Sequence, residues 1–222
     1  MISLKKINKY YQNGPEKLHV LKDLDFEINQ GDFISILGKS GSGKSTFLKL
    51  IGLIDNEFSG TYIIEDENVV NKSDYSLTDL RSKNIGFIFQ DFQLIDDLSV
   101  YKNLEIALVL ANVENKQQHR QLITQVLDKV GLLDKINVMP YQLSGGQKQR
   151  LSIARAIIKQ PKLIIADEFT GALDEKTAEE IIQLLIDLNN DGNTLVIVTH
   201  DNDLAKIAKR QYILKDGVLN EI

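Results

Sequence analysis

Gly38-Lys39-Ser40-Gly41-Ser42-Gly43-Lys44-Ser45 is the stretch on which the reading of this chain turns. It fits the pattern G-x-x-x-x-G-K-[ST] in full. Glycines let the backbone curl so that successive N–H groups converge on one anion. A helix starting at the lysine aims its positive end at the same point. Lys44 can reach the outer phosphates of a nucleoside triphosphate, and the Ser45 hydroxyl can ligate Mg²⁺. The flanks agree. Phe33-Ile34-Ser35-Ile36-Leu37 is short, apolar and bounded by Gly31 and Gly38, which predicts a buried strand. From Lys44 onward, Phe47, Leu48, Leu50, Ile51 and Ile54 predict a helix with one broad apolar face. Average residue usage produces the loop pattern in a chain of this length at about the 1% level. Strand, loop and helix together therefore predict a phosphate cradle rather than a glycine-rich surface turn.

Outward from the cradle, Asn13-Gly14-Pro15 marks a loop, and Leu24, Phe26 and Ile28 alternate as in a half-buried strand. Residues 60–70 suggest a hairpin, and Ile85–Phe89 another strand. The segment from Asp91 to Tyr141 is helical by pattern, with apolar spacing such as Leu104/Leu108 and Leu122/Val126/Val130, and reads as a helical subdomain inserted between strands. Then come a helix from Ser144 to Gln160, a stop at Pro161, a strand over Leu163–Asp167 and a helix over Glu175–Asn190. A strand over Thr194–Thr199, a helix over Asp201–Lys209 and a closing hairpin turning at Asp216-Gly217 complete the chain. Strands alternating with helices of this length predict a parallel sheet covered on both faces.

Two of those strands end in polar residues. In an open parallel sheet, ligands bind beyond the carboxyl ends of the strands. Asp167 at such an end can hold Mg²⁺, and Glu168, one residue on, can polarise an attacking water. Many strands end in Asp for turn reasons, but a triphosphate cradle needs a second metal-holding group. His200 follows the strand Leu195-Val196-Ile197-Val198-Thr199, where a γ-phosphate contact can be made, although a lone histidine at a strand end is more often structural. A second anion-binding helix start, without a lysine, is Leu143-Ser144-Gly145-Gly146-Gln147. Ser144 is a good N-cap there, and two glycines expose backbone N–H groups.

Composition narrows the classes. The 222 residues carry 26 Lys plus Arg and 31 Asp plus Glu, a net charge of −5, which disfavours a nucleic-acid partner. With no cysteine there is no disulfide, thiolate zinc site or cysteine nucleophile. The longest apolar runs, such as Ile106–Ala111, fall far short of the roughly 20 residues that span a bilayer. The N-terminal residues lack a secretory apolar run. A soluble chain is expected, held at a membrane only through something else.

The order of cradle, Gln90, L-S-G-G-Q, Asp167-Glu168, Gly171-Ala172-Leu173-Asp174 and His200 resembles the nucleotide-binding subunit of ATP-binding cassette (ABC) transporters, from near Met1 to near Ile222. The resemblance implies an α/β fold: a P-loop NTPase with a parallel-sheet core, an N-terminal antiparallel β subdomain and an inserted α-helical subdomain. It implies one ABC ATPase domain over 1–222, with 1–90 and 161–222 as core plus β subdomain and about 91–160 as the helical part. Two chains would pair head to tail around two ATP, each closing its L-S-G-G-Q over the other's cradle, in a self-complementary interface. By motif, Gly38 through Ser45 and Thr46 would bind ATP, and Tyr11, with Tyr10 as its neighbour, would stack on adenine. Ser45, Gln90 and Asp167 would hold Mg²⁺. Glu168 would be the general base, Gln90 would touch the attacking water, and His200 would sense the γ-phosphate. Ser144, Gly145, Gly146 and Gln147 would bind the partner's ATP, and Asp174 would cross the dimer interface.

Two positions depart from the family pattern: Phe169 stands where proline is usual, and Gly171 where many members carry serine. Losing proline removes a rigid turn element, so a looser loop is expected. Thr170–Asp174 and Phe92–Val100 resemble the branch of macrolide exporters, lipoprotein-release systems and the cell-division ATPase. The implied function is an ATPase on the inner face of the cell membrane, cytoplasmic and peripheral, docked on an integral-membrane permease. A mechanical or regulatory ATPase of the cell-division type would use the same residues on a partner that moves no substrate.

Overall fold

Where apolar residues alternate this chain forms strands with one wet face, and where they run together it forms strands with none. The computed structural model describes residues 1–222, apart from the side chain of Asn13. In chain order the elements are β1 (Ile2–Asn13), β2 (Glu16–Ile28), β3 (Phe33–Leu37), α1 (Lys44–Ile51), β4 (Ser59–Ile64), β5 (Glu67–Asn68), α2 (Asp74–Asn84), β6 (Ile85–Ile88), α3 (Val100–Leu110) and α4 (Lys116–Lys129). After two 3₁₀ turns come α5 (Gly145–Ile157), β7 (Leu163–Asp167), α6 (Glu175–Asn190), β8 (Thr194–Thr199), α7 (Asn202–Ala205), β9 (Arg210–Lys215) and β10 (Val218–Glu221). They fall into two compact units, residues 1–81 with 192–222, and residues 82–191.

The first unit holds an antiparallel sheet in the order β2-β1-β4-β5 and a run β10-β9-β3-β8 in which β3 is parallel to both neighbours. Every residue of β8 is buried, as are Phe33 to Ile36 of β3, which is why both read as unbroken apolar runs. On β2 the forecast alternation holds: Leu24, Phe26 and Ile28 are buried while Asp23, Asp25 and Glu27 are exposed. The Phe26 ring meets Phe47 of α1 edge-on at 5.3 Å and Tyr212 of β9 at 5.1 Å. Each such buried aromatic contributes about 1.5–3 kcal/mol. At the β9–β10 turn, Asp216 and Gly217 take φ of 51° and 84°. A Cβ on Gly217 would stand 2.5 Å from the Val20 carbonyl oxygen, so that corner needs glycine twice over.

Three expectations change here. Ile54 does not belong to the buried face of α1: the helix ends at Ile51, Leu53 turns left-handed at φ 55°, and Ile54 is left 50% exposed. The helix expected over Asp201–Lys209 is only Asn202–Ala205. Beyond it Ile207 and Ala208 bond three residues back, to Leu204 and Ala205, so the chain tightens and unwinds into β9. Finally α2, absent from the sequence reading, is a polar helix that buries Leu77 alone.

In the second unit β6 and β7 pair in parallel, from Ile85 opposite Leu163 to Ile88 opposite Ala166. Helix α5 is its hub, packing on β6, α3, α4 and α6. Gly86 permits the closest approach: a Cβ there would lie 2.5 Å from the Ala156 carbonyl oxygen. Ser99 caps α3 and Asn115 caps α4, each accepting from first-turn N–H groups. Among the described residues no helix is long and apolar enough to cross a membrane.

Candidate functional site

In the first unit β3 delivers the chain to the glycine loop. Gly41 and Gly43 take φ of 80° and 105°, left-handed values that an L side chain resists. Gly38 is glycine for a different reason, since a Cβ would stand 2.5 Å from Ser42 Oγ and 2.8 Å from the Leu214 carbonyl oxygen. Helix α1 then starts on Gly43 with no side-chain cap and no acidic residue in its first turn. Its orphan N–H groups and the positive end of its dipole are left for an anion. The Lys44 ammonium donates to the Gly38 oxygen at 2.6 Å and the Lys39 oxygen at 3.1 Å, which folds its charge over the loop. Gly38 to Ser42 line a cavity of about 680 Å³. His200 and Asn202 line it too, so the structure places this histidine at the same cavity as the cradle. That is room for a polyphosphate, with Lys39 and His200 in its lining.

Tyr10 and Tyr11 separate cleanly. The Tyr10 ring is stacked on His19, centroids 4.1 Å apart. Tyr11 instead donates its hydroxyl to Asp55 Oδ2 at 2.9 Å and hydrogen-bonds Thr46 of α1.

In the second unit β7 ends on Asp167, and Glu168 follows at φ 43°. Left-handed backbone costs a non-glycine residue about 1–2 kcal/mol and persists only where its surroundings impose it. Here the Gly171 N–H donates to the Glu168 oxygen and the Leu173 N–H to the Thr170 oxygen, both at 3.0 Å. Phe169, standing where proline is usual, is 1% exposed, so buried area holds the loop where proline stiffness is missing. A Cβ at Gly171 would stand 2.9 Å from Gln90 Nε2. Glycine at this position therefore lets the Gln90 amide sit against the turn that carries Glu168. Arg155, which the sequence reading missed, donates to the carbonyl oxygens of Phe92 and Gln93, two residues held at φ 57° and 52°. It braces the chain just beyond Gln90. Nothing local in the sequence marks it, because its partners are backbone atoms about sixty residues away.

The L-S-G-G-Q element is a capping box. Ser144 Oγ accepts from the Gln147 N–H at 3.3 Å, and Gln147 Oε1 accepts from the Ser144 N–H at 3.0 Å. The serine hydroxyl keeps its proton to donate outward. The two glycines differ in purpose. A side chain on Gly145 would meet nothing nearer than 3.7 Å, whereas a Cβ on Gly146 would stand 2.4 Å from Thr177 Cγ2. Thr177 cannot rotate freely, because its hydroxyl donates to Asp174 Oδ2 at 2.7 Å while Asp174 caps α6. That hydrogen bond and the Thr177 N–H hold the Asp174 carboxyl below the usual carboxylate range. Gly146 is thus glycine chiefly for helix packing. Gly146→Ala is expected to lose about 1–3 kcal/mol by overpacking, measured by urea unfolding, and Thr177→Ser, which deletes the clashing methyl and keeps the cap, is expected to restore most of it.

Comparison with known proteins agrees with this geometry. A profile of the family described as ABC transporter matches residues 21–171. The chain is 45% identical over 217 residues to the uncharacterized ABC transporter ATP-binding protein YknY of Bacillus subtilis (strain 168), covering 98% of this chain and 94% of that one. It is 44% identical over 217 residues to the macrolide export ATP-binding/permease protein MacB of Escherichia coli, covering 98% of this chain but only 33% of that protein. Among solved structures, the dimeric post-hydrolysis state of the ATP-binding cassette MJ0796 bound to ADP and Pi superposes with a TM-score of 0.90 at 41% identity, covering 100% of this chain and 98% of that one. The phosphate loop, the strand-end acids and the L-S-G-G-Q helix start therefore have one common explanation: this chain belongs to the ABC transporter family, as one of its ATP-binding ATPase cassettes.

Proposed function

We propose that the chain is the ATP-hydrolysing subunit of a membrane transporter, that two copies close around two ATP, and that closing and reopening drive a separate permease. The observation that carries this reading is the cavity lined by Gly38 to Ser42 and His200 at the uncapped start of α1. The dimeric relative bound to ADP and Pi supports the pairing, and the relatives named for macrolide export support an exporter or extractor, whose substrate we read as a drug, peptide or lipid-like molecule. The chain then works on the inner face of the cell membrane, held there by its permease, with Asp91 to Tyr141 presenting the docking surface and 1–90 with 161–222 as core plus β subdomain.

In this reading the loop from Gly38 to Thr46 wraps the phosphates, and Lys44 moves from its loop carbonyls onto β- and γ-phosphate oxygens. Tyr11 stacks on the base. Ser45, Asp167 and Gln90, hard oxygen donors all, would hold Mg²⁺, which would supply charge neutralisation on the phosphate oxygens. Glu168 accepts a proton from water as the water oxygen bonds to the γ-phosphorus. The bond from that phosphorus to the bridging oxygen breaks, leaving ADP and phosphate. Gln90 orients the water, and His200 donates to the γ-phosphate. Across the dimer Ser144, Gly145, Gly146 and Gln147 complete the partner's site, with Asp174 beside them.

The arrangement in trans has a direct test. Gly145→Asp fits sterically and suits a helix start, but its carboxylate would repel a partner's phosphate. Lys44→Ala disables the cradle instead. Each variant alone puts one defect in both sites of its homodimer. Mixed, they form heterodimers with one wild-type composite site, so ATPase activity should reappear on mixing. Two inactive variants whose mixture stays inactive, although heterodimers form, would contradict pairing in trans.

A further inference from the structure

Strand β1 is irregular, with register shifts on both sides of Ile7 and Lys6 at φ 50°. The bulge rephases the strand so that Lys9 points inward and is 1% exposed. A buried ammonium needs a partner, and Asp55 Oδ1 lies 2.6 Å from it. Asp55 reaches that place because Leu53 turns the chain left-handed after α1. Burial raises the Asp55 carboxyl, but Lys9, the Glu57 N–H and Tyr11 outweigh it and hold the group below the usual carboxylate range. The acid is an ionised acceptor at neutral pH, and its second oxygen takes the Tyr11 hydroxyl.

Tyr11 is therefore held twice more than its exposure suggests. Lys9 Nζ lies 4.7 Å from its ring centroid, a cation on one face, and Thr46 meets its phenol from α1. Yet the ring is 36% exposed. An exposed tyrosine ordinarily samples several rotamers, and immobilising one costs about 0.5–1.5 kcal/mol. A cation on one face draws π-density toward itself, which suits the other face to an electron-rich base.

We propose that Asp55 is a positioning residue that, with Lys9, locks the Tyr11 ring in advance for the base of the nucleotide in the neighbouring phosphate loop. The inference rests on the reading of Tyr11 as the base-stacking residue, and the test separates the two. Affinities of ATP and of inorganic triphosphate are measured by calorimetry, with kcat and KM alongside. Tyr11→Ala should weaken ATP about 10-fold or more, as loss of an aromatic–base stack does, and leave triphosphate unchanged. Tyr11→Phe keeps the ring and cuts its tether. It should weaken ATP about threefold to tenfold, raising KM without lowering kcat. Asp55→Ala should match it, and the double variant should be no worse than either single one. Where Asp55→Ala fails to fold around its unpaired lysine, Lys9→Met with Asp55→Leu removes the pair together and should show the same loss. Unchanged ATP affinity in Tyr11→Ala would remove both the stacking reading and the proposal. A weakened Tyr11→Ala beside wild-type affinity in Tyr11→Phe and in the Asp55 variants would leave stacking intact and overturn the lock. So would additive losses in the double variant.

Discussion

Lys44→Ala should reduce ATP affinity about 100-fold or more, because it deletes the ammonium that folds back over the carbonyl oxygens of the glycine loop. A charge-assisted contact to phosphate in a partly desolvated site is worth about 2–5 kcal/mol when one partner is truncated. The fold should be indifferent to the change. The ammonium's partners are two carbonyl oxygens of the loop itself, Gly38 and Lys39, and its side chain is only part-buried. Thermal unfolding makes the contrast visible. A ligand at a hundred times its Kd stabilises the native state by about 2.7 kcal/mol, which for a domain of this size raises Tm by about 5–10 °C. Wild-type protein with ATP and Mg²⁺ should show that rise. The alanine variant should melt at the wild-type temperature without nucleotide and gain almost nothing from ATP. A variant that keeps the full ATP-dependent shift would mean the loop is not the phosphate site.

How much of this was legible in the residues depended on whether the cause was local. The cradle was, because strand, glycine loop and helix are contiguous and each has its own signature. Strands β3, β7 and β8 match their forecast bounds for a similar reason: buried on both faces, they have no wet residues to blur the ends. Helix α2 was invisible because it buries one leucine, leaving no apolar stripe to detect. The shortening of α7 was invisible because it follows from where β9 must begin. At that point Arg210 pairs with Asp32 at 2.6 Å and with Glu221 at 3.3 Å, partners that no window around residue 205 contains. The same limit applies to the site. Gln90, Glu168 and His200 lie in readable motifs, but the groups that orient their surroundings do not. Arg155 acts on carbonyl oxygens, Lys9 faces inward only because of a bulge, and Phe169 replaces proline stiffness with buried area. The glycines show the subtler error. Both glycines of L-S-G-G-Q looked alike in sequence, yet one opens a helix start and the other makes room for Thr177.

Glu168→Gln should abolish turnover while preserving everything that precedes it. Glutamine has the shape of glutamate and accepts the same backbone geometry, so the left-handed turn at φ 43° should survive. What disappears is the proton acceptor of the proposed mechanism. Removing a general base costs about 10²–10⁴ in rate, so kcat should fall at least about a hundredfold with KM for ATP little changed. ATP-bound dimers that reopen only after hydrolysis should then accumulate, visible by light scattering as a mass doubling that needs ATP and Mg²⁺. A companion variant separates strain from chemistry. Glu168→Gly relieves the left-handed backbone, which should offset part of glycine's entropic disadvantage and leave stability near wild type, yet it should be as inactive as the glutamine variant. If strain at this residue, rather than its carboxylate, drove catalysis, glutamine would retain activity and glycine would lose it. Wild-type turnover in Glu168→Gln would assign the base elsewhere, and the first place to look would be Asp167 at the end of the same strand.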